Sequence, residues 1–61
     1  RPAPTVYSRR IYASLLAKNG KFQKSIDVLE SVLAETDADS PLKKLLEEQI
    51  ARTRLMLKKT Q

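Results

Sequence analysis

The sequence predicts an all-α fold, an antiparallel helical hairpin joined to a third helix. Three observations carry that reading. Between Tyr12 and Leu33, two sets of apolar residues recur at steps of three and four, on either side of Asn19-Gly20. Steps of that size place each set on one face of an α-helix. Glycine enters the left-handed conformation that ends a helix without steric cost, so Asn19-Gly20 is a stop. Ser40-Pro41 then reads as a new helix start, with a hydroxyl to cap the first amides and a proline where no amide bond is lost.

The elements follow in order. Arg1 to Pro4 is expected to be an extended leader, because Pro2 and Pro4 lack amide donors and push the residues before them away from helix. Thr5 is the expected N-cap, and residues 5–61 form one small domain. Helix 1 is expected over about 6–19, with Tyr12, Leu15 and Leu16 facing the hairpin partner. A second row, Tyr7, Ile11 and Leu15, is more apolar surface than one partner needs. A third helix, a neighbouring repeat or a ligand must cover it. So short a connection turns helix 2 back antiparallel, over about 21–36, with Phe22, Ile26, Leu29, Val32 and Leu33 on its inner stripe. Thr36 to Asp39 has no periodicity and reads as a loop. Helix 3 is expected over about 41–59, with a stripe of Leu42, Leu45, Leu46, Ile50, Thr53 and Leu57. Lys43/Glu47, Lys44/Glu48 and Glu48/Arg52 are spaced four apart and can pair on its surface.

Ala13 and Ser25 are small residues beside the two hairpin stripes, and small facing side chains let backbones approach closely. With Tyr12-Ala13, Leu16, Gly20, Phe22, Ser25, Leu29 and Val32 in place, the hairpin resembles one tetratricopeptide repeat. Arg9, Ser25 and Val32 depart from that pattern, and the proline expected soon after helix 2 comes late, at Pro41. The resemblance covers about half of the chain and implies the right-handed α-α superhelix type of fold. Helix 3 then stands where the next unit would begin. Leu46 and Ile50 fit its large positions, while Glu47 replaces the small residue, which suits a polar-faced capping helix. The resemblance also implies a concave groove that takes a partner segment. Its positions here are Arg10 and Ser14 with Tyr7 and Ile11 beside them, and Lys44, Glu48 and Arg52 on helix 3.

Composition narrows the function. With no cysteine and no histidine among 61 residues, thiolate and imidazole chemistry are absent, and with them the commonest metal ligands and general base. Glu47 and Glu48 are adjacent, so on a helix they diverge by about 100° and cannot share a substrate. Glu35, Asp37 and Asp39 match no calcium-loop spacing, and one glycine at Asn19-Gly20-Lys21 cradles no phosphate. The expectation is a non-enzyme without metal or organic cofactor. No apolar run approaches the roughly 20 residues of a membrane span. The first residue is Arg1, and the chain reads as a piece of a longer or processed protein.

The net charge of +5 is unevenly placed. Residues 1–25 hold six basic groups and no acid, 26–48 hold all seven acids against Lys43 and Lys44, and 49–61 hold four basic groups. Complementary segments of this kind pair with one another as readily as with an outside partner. The leading expectation is a protein–protein interaction module, taking a segment with acid groups or a second copy of itself. The alternative is a basic nucleic-acid-binding helix domain using helix 1 and the tail of helix 3. Against it, Tyr7, Tyr12 and Phe22 lie on apolar stripes and are expected in the core rather than as stacking platforms.

Overall fold

The computed structural model describes residues 5–60, which form three helices and no strand: α1 (Val6–Lys18), α2 (Phe22–Ala34) and α3 (Pro41–Thr60). The expected leader, 1–4, lies outside the described residues. Each helix begins and ends for a local reason. Thr5 caps α1, its Oγ1 accepting from the Ser8 amide at 3.0 Å. The helix stops one residue earlier than expected, with Asn19 as the cap. Gly20, at φ +81°, and Lys21 then donate back to the Ala17 and Leu16 carbonyls, the paired bonds of a Schellman turn. The second helix ends at Ala34 rather than Thr36, because the Thr36 hydroxyl turns back to the Val32 carbonyl at 2.8 Å and closes the last turn. Ser40 caps α3 as expected, its Oγ accepting from the Leu42 amide at 3.2 Å.

The middle helix is the hub. Its Ile26, Leu29 and Val32 are buried against Ala13 on one side and against Leu46 and Ile50 on the other. Val6, Val28, Leu33, Leu42 and Leu57 pack around that core half-buried. The two small residues meet: Ser25 Oγ donates to the Ala13 carbonyl at 2.7 Å, and both residues are fully buried. A serine at this crossing therefore satisfies its own hydroxyl, which the close backbone approach makes possible.

Several core assignments change. Tyr12 and Leu15, placed by periodicity against the hairpin partner, are 48% and 52% exposed. Ala13 takes the central position instead, with Leu16 buried beside it. In α3, Leu45 is exposed while Leu46, Ile50 and Thr53 are buried. Tyr7 and Tyr12 are surface residues, not core, and Phe22 is half-buried.

None of the three expected i,i+4 pairs on α3 forms an ion pair among the described residues. The charges pair between segments instead. Arg9 grips Glu35 with both terminal nitrogens, at 2.8 and 2.9 Å, tying the start of α1 to the end of α2. Arg54 on α3 reaches Glu30 on α2. Both pairs join a basic flank to the acidic middle, the complementarity visible in the charge pattern. The Arg9 grip leaves its buried Nε–H without an acceptor, so one good bidentate contact is made at the expense of a third donor.

The Arg9 guanidinium, donating hydrogen bonds and lending its positive charge, holds the Glu35 carboxyl below the ordinary value of 4.5. A carboxyl whose folded value is depressed adds stability at any pH above its unfolded value, and that stability is lost as pH falls through the folded value. The expected result is that wild type exceeds Glu35→Gln in stability at neutral pH, with the gap closing as pH falls through the depressed Glu35 value. Urea midpoints across that range measure it. A gap that stays the same at low pH would show that the pair does not act this way.

Candidate functional site

Both α1 and α3 pack chiefly against α2, and an open cleft lies between them. Gln49 spans it, its Oε1 accepting from Arg10 Nε at 3.3 Å and its Nε2 donating to Ser14 Oγ at 3.1 Å. Those two bonds fix the relative height of the helices and form the cleft's floor. Arg10, Ser14, Ala17 and Lys18 line one wall of a cavity of about 450 Å³, and Leu45, Glu48, Arg52, Thr53 and Met56 line the other. A smaller hollow of about 140 Å³ continues from it, between Tyr7, Arg10, Ile11, Ser14 and Gln49.

The residues expected to line a groove fall as follows. Arg10, Ser14, Glu48 and Arg52 share the larger cavity, and Tyr7 and Ile11 border the smaller one. Lys44 lines neither and stands exposed on α3. Sequence reasoning gave no groove role to Gln49, Lys18 or Leu45, while Met56 was expected, with Leu55, to stay exposed off the main stripe. A usable signal was present. Leu42, Leu46, Gln49, Thr53 and Met56 follow steps of four and three, so Gln49 sits on the flank of the buried stripe nearest α1.

The cleft is amphipathic. Leu45 and Met56, 48% and 38% exposed, form one apolar lip, and Tyr7 and Ile11, 72% and 44% exposed, form the other. Arg10, Lys18 and Arg52 set three cations around it against one carboxylate, Glu48. The hydroxyl of Ser14 is engaged by Gln49, and the cleft holds no second carboxylate beside Glu48. Among the described residues no three Asp or Glu side chains converge on a metal-sized space. No described helix is long and apolar enough to cross a membrane.

No family model, curated protein or solved structure matches this chain.

Proposed function

We propose that this chain is a non-catalytic protein–protein interaction module that holds a partner segment in the cleft between α1 and α3. The tetratricopeptide-like reading of the hairpin belongs to the same proposal. Its support is the layout of a first helix, a second helix packed on it through Ala13 and Ser25, and a third helix packed on the second and tied to the first through Gln49. The observation that carries the function is the exposure of Tyr7, Ile11, Leu45 and Met56 along both lips of a cleft with three cations. Apolar surface gathered in this way marks a binding site on a small domain. Its excess of positive charge suits a segment that pairs apolar residues with acid groups.

The test is a pull-down comparing wild type with Tyr7→Ala/Arg10→Glu, with circular dichroism to confirm that both are folded. Truncating an exposed aromatic anchor and reversing an adjacent charge is expected to weaken capture of the specific partner about tenfold to hundredfold. A folded variant that keeps every partner would remove the cleft from the function.

One observation favours the nucleic-acid reading. Tyr7 is on the surface next to Arg10, a pairing that can stack on a base. Glu48 in the same cleft opposes a phosphate backbone. Fluorescence anisotropy with labelled RNA and DNA across salt separates the two. Binding that persists at physiological salt with a slope of several counterions selects nucleic acid, and binding that vanishes with salt is the ordinary behaviour of a basic protein.

A further inference from the structure

The opposite side of the hairpin, away from α3, carries a second open surface. There α1 and α2 flank a depression of about 620 Å³ whose lining includes the apolar residues Tyr12 and Val28. Leu15, one turn along α1 from Tyr12, extends the apolar strip. Its charges differ from those of the cleft. Arg9 is already committed to Glu35, which leaves Lys24 and Asp27 on the rim. Neither of these makes an ion pair among the described residues, and Asp27 accepts only a neutral bond from Gln23 at 3.0 Å.

One positive and one negative group, three residues apart on one helix, give this surface no net sign. An acidic segment would meet Lys24 and be repelled by Asp27, and an anionic lipid surface would be treated the same way. A surface bearing the same two charges in reverse order satisfies both. A second copy of this chain supplies that surface. A two-fold interface requires residue i to meet j while j meets i, and Lys24 with Asp27 is such a pair.

The geometry adds an independent check. A two-fold axis lying in this surface, across both helices, and midway between Lys24 and Asp27 passes beside Ser25. Ser25 is level with Ala13, because its hydroxyl bonds the Ala13 carbonyl at 2.7 Å. The same axis therefore passes Tyr12, the chain neighbour of Ala13. Reciprocal ion pairs on α2 and a Tyr12 contact on α1 follow from a single placement. We infer that the α1–α2 face is a two-fold dimer interface, closed by Tyr12 against the partner's Tyr12 and by Lys24 against the partner's Asp27. This inference is separate from the cleft, which lies on the other flank of α1 and stays open in the dimer.

Two 13-residue helices side by side offer about 400 Å² per protomer, under the area of a stable specific interface, so the association is a weak one. A dissociation constant on the order of 10–100 μM is expected. Sedimentation equilibrium of the chain up to about 1 mM covers that range. Lys24→Asp makes the rim wholly acidic and Asp27→Lys makes it wholly basic. Each single variant is expected to dimerise about tenfold more weakly than wild type, since both symmetry-related pairs become repulsions. An equimolar mixture of the two is expected to regain association, and so is the double variant Lys24→Asp/Asp27→Lys. Both positions are exposed, so folding is preserved and circular dichroism verifies it. A wild type that is monomeric at 1 mM overturns the proposal and leaves the face to a foreign helix. Single variants that dimerise as well as wild type overturn it too, by showing association elsewhere.

Discussion

Leu29→Ala is expected to leave little folded protein at room temperature. Leu29 is fully buried on the hub helix and belongs to the cluster that joins Ala13 on α1 to Leu46 and Ile50 on α3. Removing its three outer carbons costs the transfer free energy of those atoms and the cavity left behind, about 2–5 kcal/mol together. A chain of this length holds only about 3–9 kcal/mol of total stability, so the loss is comparable to the whole. Elsewhere in a larger protein neighbours could relax into the space. Here the cavity would lie between all three helices, and closing it for one pair opens it for the other. The urea midpoint is expected to fall to near zero, against a change within about 0.5 kcal/mol for Leu55→Ala, whose side chain is exposed. Equal effects at the two positions would mean that the hub lies elsewhere.

How much of this was legible in the sequence depends on the helix. On α2 the buried stripe was readable, because Ile26, Leu29 and Val32 occupy one side and Gln23, Lys24, Asp27 and Glu30 the other. The two polar caps, Thr5 and Ser40, and the glycine turn were readable for the same reason: each is a local hydrogen-bond or backbone requirement met by a particular residue type. On α1 the pattern was ambiguous. Val6, Tyr7, Ile11, Tyr12, Ala13, Leu15 and Leu16 surround most of the helix, so periodicity gives two rows without ranking them. Size then misleads. The large residues look like core, yet the tight crossing with α2 admits only Ala13 and Ser25 at its centre and turns Tyr12 outward.

The candidate cleft was half legible for a related reason. Arg10, Ser14, Glu48 and Arg52 were placed by the resemblance to a tetratricopeptide repeat, but Gln49 could not be given its role. Its two hydrogen bonds depend on the height at which α1 meets α3, a quantity set by the length of both turns and by packing on α2. The ion pairs show the same limit. Spacing along one helix predicts i,i+4 pairs worth a few tenths of a kcal/mol, and a bidentate arginine between helices is a stronger competitor that spacing cannot reveal. Arg9 with Glu35 is such a contact.

The same crossing supports the second large effect. Ala13→Leu is expected to destabilise the chain by about 1–3 kcal/mol, although it adds apolar surface to a small core. Ala13 is fully buried, and the 2.7 Å bond from Ser25 Oγ to its carbonyl records how near the two backbones run. Three added carbons can be housed only by driving the helices apart, which breaks that bond and strips contacts from Leu29 and Ile26 on the same face of α2. Hydrophobicity and space thus make opposite predictions, and at a crossing this close space decides. Ala34→Leu serves as the contrast, since Ala34 is exposed and the added carbons meet no neighbour that must move, for a change within about 0.5 kcal/mol. Ser25→Ala separates the hydroxyl from the volume: losing one hydrogen bond without adding bulk is expected to cost about 1 kcal/mol. Combining Ala13→Leu with Ser25→Ala should then cost less than the two changes added together, because the first has already broken the bond that the second removes. Chemical denaturation of the four variants measures all of this. If Ala13→Leu proves neutral or stabilising, the helices have room between them, and the small pair does not set their separation.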